Sequence, residues 1–151
     1  MSIWGPGPFE NDDGADWFAE LRDEPALESI RKTFEEISDP EHIGYLDVTD
    51  GAEAFAAAEV LAELLGSPGD DPVLDEEAEE LAEALKKELK REGKRDIKKL
   101  VKRAIHALEI VLNDTENSEL RQMWEEQAEE MPAWTAAMTA LQERLRKVGV
   151  P

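Results

Sequence analysis

Carboxylates are the most abundant reactive groups in this chain, and Glu10, Asp12, Asp13 and Asp16 crowd one stretch that also holds Asn11 and Gly14. An Asn-Asp-Asp-Gly run invites a calcium-loop reading. With Gly14 at the sixth position, however, Phe9 falls first, Asn11 third and Glu20 twelfth, and Phe9 supplies no carboxylate. Gly51 at that position puts Leu46 first and Ala57 twelfth, which fails more completely. These acids are therefore expected to cap and open a helix. The histidines are His42 and His106. His106 and Glu109 have the spacing of half a metal site on the polar face of a helix, with no second ligand pair to complete it. His42, between Glu41 and Tyr45, has the chemistry of an acid or base, and its plainer role is a connector histidine satisfied by backbone groups. A metal-dependent hydrolase using Asp12, Asp13, Asp16 and His42 is the enzymatic alternative. The chain has no G-x-S-x-G, Walker loop, H-E-x-x-H or cysteine nucleophile. No catalytic residue, metal or cofactor is called for, and the reading leans away from an enzyme.

A second chemistry is apolar. Residues 3–17 set Trp4, Phe9 and Trp17 among Gly5, Pro6, Gly7 and Pro8, a composition unsuited to a regular element and costly to leave in water. Residues 1–12 are thus expected to form an extended clasp, with Trp4 and Phe9 lying across the C-terminal helices. There they would join Trp17, Trp124 and Trp134 in one structural aromatic cluster. A peptide or partner groove is the functional alternative for these rings, because Trp is enriched where partners bind. The pattern W-G-x-G-x-F-x-N-D over Trp4–Asp12 resembles the N-terminal signature of domain of unknown function 4259, a family of small bacterial and archaeal proteins. Asn117-Ser118-Glu119-Leu120 with Met123-Trp124, and Ala56-Ala57-Ala58-Glu59-Val60, carry the resemblance across most of the chain. It implies a compact, mostly helical domain and brings no activity with it.

Charge narrows the partners. The net charge is -20, but residues 1–85 hold 25 acids against 3 bases, whereas residues 86–151 hold 12 acids against 14 bases. The first half repels nucleic acid and anionic lipid and attracts a basic protein. Solubility and a high-salt source are plainer reasons for such an excess. Lys86–Arg103 carries ten bases, yet they lie on a solvated helical surface without aromatic interleaving, which argues against nucleic acid as a partner. Pairing with the acidic half, within the molecule or across a dimer, is the simpler account. Without cysteine there is neither a disulfide nor a thiolate site. The start lacks a basic region and an apolar core like those of a signal peptide, and no run approaches the roughly 20 apolar residues of a membrane span. A cytoplasmic protein, monomer or weak dimer, is expected.

The elements that must position these groups follow from periodicity and punctuation. Helices are expected over Asp13–Arg22, from Ala26 to Ile37, from an Asp50 cap to Leu65, from Asp75 to a break at Gly93, over Arg95–Asn113, from Asn117 or Ser118, and from Pro132 to Val148. Residues 42–48 read as a buried connector, 67–74 as a loop between two helical halves, and Ala128 as inward-facing. The fold class is all-α: residues 1–151 as a single domain, an irregular antiparallel bundle of about six helices under the N-terminal clasp. The function that fits is a non-catalytic acidic binding protein, an immunity-like antagonist of a basic effector. Its first contact candidates are Glu10, Asp12, Asp13, Glu35, Glu36, Asp39 and Glu41. A purely structural or engineered domain without a ligand is a further alternative.

Overall fold

A helix with apolar bulk on every side has nowhere to go but the interior, and residues 48–64 follow that rule. In the computed structural model, which describes residues 5–38, 45–70 and 72–149, the helix Val48–Leu64 (α3) has fourteen of its seventeen residues buried. Packed on it are α1 (Asp12–Asp23), α2 (Leu27–Ser38), α4 (Glu79–Arg91), α5 (Lys94–Asn113), α6 (Glu119–Glu125) and α7 (Met131–Gly149). Its alanines Ala54, Ala56, Ala57, Ala58 and Ala62 are inaccessible to solvent and let these neighbours approach closely. Among the described residues the regular structure is helical, seven α-helices and a 3-10 turn at Glu76–Ala78, so the fold is an all-α bundle. No helix among them is long and apolar enough to cross a membrane. The stripes of α2, α5 and α7 meet α3 in one core, with Ile30, Phe34, Leu61, Leu108, Met138 and Leu141 fully enclosed.

Local chemistry sets the boundaries. Asn11 caps α1 by accepting from the Gly14 amide at 2.7 Å, and Asp12 and Asp13 occupy the first turn, where acids suit the helix dipole. α3 begins earlier than expected: Asp47 rather than Asp50 is its cap, accepting from the Asp50 amide at 2.9 Å. The earlier start places Val48 in the helix and buries it. α3 closes at Gly66, whose φ of +88° allows Ser67 N–H to reach the Ala62 carbonyl at 2.9 Å. Asp75 caps the 3-10 turn that leads into α4, and Ser118 caps α6.

Three contacts depart from the sequence reading. The N-terminus of α2 is capped from another helix, the Glu88 carboxylate accepting from Leu27 N–H at 2.6 Å. Of the connector before α3, residues 42–44 lie outside the described residues and 45–48 are only partly buried. Leu46 is covered and forms a single parallel bridge with Ser118, while Tyr45 stays 52% exposed and donates its hydroxyl to Glu119. Ala128 is exposed rather than inward, because α6 ends at Glu125 and residues 126–130 form turns.

Gly14 illustrates how the entry to α1 is built. A Cβ there would stand 2.3 Å from the Pro8 carbonyl oxygen, a backbone atom that cannot step aside alone. Gly14→Ala is expected to destabilise the fold by about 1–3 kcal/mol. A thermal melt followed by circular dichroism checks this, and an unaltered Tm refutes the close approach.

Candidate functional site

Two of the stretches that carry the family resemblance, the N-terminal one and the one on α6, lie far apart in sequence and meet in space. Gly5, Pro6 and Gly7 face Phe55 of α3, Leu120 and Trp124 of α6 and Trp134 of α7 around a small void. Trp124 and Trp134 stack there, with ring centroids 6.1 Å apart and planes 12° from parallel. The segment is held in shape by Glu10, whose carboxylate accepts from Gly7 N–H at 2.9 Å and folds back over Gly5 and Gly7.

Trp17, Trp124 and Trp134 lie in one hydrophobic core with Phe9 packed against it, and within that core the described rings also make individual contacts. Phe9 packs on Phe18 at 5.1 Å between centroids. Trp17 turns toward α2, its Nε1–H donating to Thr33 Oγ1 at 3.2 Å. Trp4 lies outside the described residues.

Beside the segment is a half-open cleft of about 250 Å³, bounded by Phe9, Phe55, Val73, Ala137 and Ala140 and by the charged groups Glu10, Glu59, Asp70 and Arg144. Its polar floor is an ion pair between helices. Arg144 on α7 grips Glu59 on α3 with both terminal nitrogens, Nη1 to Oε1 at 2.8 Å and Nη2 to Oε2 at 2.5 Å. The same guanidinium donates to the Ser67 carbonyl from Nε at 3.0 Å and Nη2 at 2.8 Å, fastening the loop that leaves α3. Gly69 sits against it, close enough that a Cβ would stand 2.9 Å from Nη1.

One helical turn beyond Glu59 lies Glu63, also buried. Its Oε1 accepts from the Val73 and Leu74 amides at 2.9 and 3.0 Å, whereas its enclosed Oε2 has no donor. Burial first, and then the adjacent Glu59 carboxyl, raise the Glu63 pKa to about 7, against the pull of those two amides. Protonated, Glu63 has a hydrogen to share with Glu59. The arrangement is thus a carboxylate clamped by arginine beside a carboxyl whose proton affinity is raised.

A second group of acids gathers where α1, α2 and α3 meet. Half-buried Glu53 has its pKa raised to about 7, by desolvation first and then by Asp50, Glu20, Glu36 and Asp13. Among the expected contacts, Asp12 and Glu36 are exposed, Asp13 is half-buried, and Glu35 is engaged by Arg103 of the basic stripe. Asp39, Glu41 and His42 lie outside the described residues. His106 and Glu109 are exposed on α5, and Asp16 is exposed on α1. Among the described residues no group of three or more His, Cys, Asp or Glu side chains has the geometry to hold a metal ion.

A family model for a domain of unknown function (DUF4259) matches residues 2–137. The chain belongs to this family. No curated protein and no solved structure matches it. The matched region of this DUF4259 domain contains Glu59, Glu63 and the Trp124–Trp134 stack, while Arg144 lies beyond it.

Arg144 and Glu63 are the site residues that the sequence reading passed over, and both left a signal. Two glutamates one turn apart on a helix apolar all round must face the interior and require a cation from elsewhere. Arg144 is seven residues after Ala137 and three after Leu141, on the inward stripe of α7.

Proposed function

We propose that this protein is a non-catalytic binding domain whose acidic face captures a basic protein, as an antagonist of a basic effector does. The observation that carries this reading is the convergence of Asp13, Glu20, Glu36, Asp50 and Glu53 from three helices on one site. There desolvation and mutual repulsion already raise the proton affinity of Glu53. Crowded like charges repel one another, and a cationic partner relieves that repulsion, which would speed encounter and fix orientation. The strongly acidic first half of the chain extends the attraction beyond this face. Glu35 is less available than its neighbours, since Arg103 engages it.

Affinity capture from cells of the native host, at low and moderate salt, tests the reading. A basic protein is expected at low salt, with recovery falling as salt rises. The triple variant Glu20→Gln, Glu36→Gln, Glu53→Gln should weaken capture about tenfold or more. Recovery of no basic protein, or equal capture by the triple variant, overturns it.

A further inference from the structure

The cleft under the N-terminal segment has a composition that the acidic-face reading leaves unused. At about 250 Å³ it is smaller than the roughly 300–1,000 Å³ typical of drug-sized sites, so it suits a short chain or a single side chain. Its charges do not contribute equally. Arg144 spends four of its five N–H donors on Glu59 and Ser67, so the guanidinium and the Glu59 carboxylate satisfy one another and leave little for an anion. The remaining ionic groups are Glu10, on the N-terminal segment, whose Oε1 accepts from Gly7 N–H, and Asp70, on the loop after α3, which also feels the Arg144 charge. Both are exposed at the rim. The walls between them are apolar: Phe9, Phe55, Val73, Ala137 and Ala140.

We propose that this cleft binds a primary alkylammonium group, its methylene stem on Phe9, Phe55 and Val73 and its cation at the rim carboxylates Glu10 and Asp70. The apolar walls match a stem that buries its methylenes while its charge stays near water. Carboxylates on two separate chain segments suit a compact ammonium, which turns three donors in different directions. A planar guanidinium would seek one carboxylate edge-on. The chemistry is shared by a free alkylamine and by a lysine side chain of a protein, and the test separates them. The site is distinct from the face around Glu53.

Titration of the full chain with n-butylammonium chloride, followed by amide chemical shifts, provides the test. Saturable shifts should centre on Val73, Ala137, Ala140 and the Phe9 segment. Neutral n-butanol should bind at least tenfold more weakly. Asp70→Asn, at an exposed position, should weaken butylammonium at least fivefold, and the pair Glu10→Gln, Asp70→Asn should abolish saturation. Glu116→Gln, at an exposed position on the α5–α6 connection, should leave it intact. A thermal melt of each variant verifies that it is folded. A capped Gly-Lys-Gly peptide binding more tightly than butylammonium assigns the site to a protein lysine, and the reverse order assigns it to a free amine. Shifts spread over the acidic surface, equal binding of butanol, or unchanged binding by the Asp70 variant overturns the proposal. The Glu20, Glu36, Glu53 variant should bind butylammonium normally, so the two readings fail independently.

Discussion

Arg144→Met should destabilise the folded protein by about 3–5 kcal/mol at neutral pH, because it removes the guanidinium and leaves the Glu59 charge buried. Methionine keeps much of the aliphatic packing, so the loss reads the charge more than the volume. Two further bonds disappear with the guanidinium, those that hold the Ser67 carbonyl and the start of the loop after α3. Urea denaturation gives the measurement, as a lower midpoint at constant slope. The pairing itself is isolated by adding Glu59→Gln, which removes the stranded charge and should restore a large part of the loss. If the single variant unfolds at the same urea concentration as the parent chain, the ion pair contributes nothing and the account of this floor is wrong.

Stability should also fall as pH rises from about 5 to 8, the reverse of the trend expected from salt-bridged carboxylates. Glu53 and Glu63 have folded-state pKa values raised from 4.5 to about 7. A raised carboxyl holds its proton in the folded state after the unfolded chain has released it. Its contribution is therefore complete below about 4.5 and is lost as pH climbs through about 7. For nearly inaccessible Glu63 the change is on the order of 2 kcal/mol, and for half-exposed Glu53 it is below about 1 kcal/mol after solvent screening. Glu63→Gln supplies the test. Its amide keeps an acceptor for Val73 and Leu74 and offers a fixed donor in place of the carboxyl hydrogen, so the variant should lose most of the slope. A Glu63→Gln profile parallel to the parent between pH 5 and 8 would show that this carboxyl is ionised throughout.

The helices were readable because their signals are local. Leu27, Ile30, Phe34 and Ile37 mark one face of α2, and Leu100, Ala104, Leu108 and Val111 mark one face of α5, all of them buried as that spacing requires. Gly66 and Gly93 punctuate where their backbone freedom or lack of side chain predicts. Long-range pairings were not visible in the same way. Glu88 reaches Leu27 across 61 positions, and Glu119 reaches Val48 across 71, so neither cap announces itself in the neighbouring residues. The Asp47 cap was missed for a different reason. Asp47 and Asp50 are both good capping residues, and the burial of Val48 on tertiary packing favours the earlier one.

The candidate site was legible only as fragments. The alanines of α3 and the glycines of the N-terminal segment stood out by composition, but nothing local to Glu59 names Arg144, 85 residues away, as its counterion. A charge inside an apolar stripe can be found from sequence, whereas the identity of its partner depends on how helices cross. The acidic surplus was legible as a number. Its division into engaged residues such as Glu35 and a crowded group around Glu53 depends on where α2 meets α5 and α3.

The near-parallel indoles of Trp124 and Trp134, 6.1 Å between centroids, also make the molecule its own optical probe. Transition dipoles at that separation couple, so the native state should show an exciton couplet in its ultraviolet dichroism that neither ring produces alone. Because one indole belongs to α6 and the other to α7, the couplet reports the docking of those two helices. Stopped-flow recording of that band beside the helical band would time the assembly of the C-terminal region without any label.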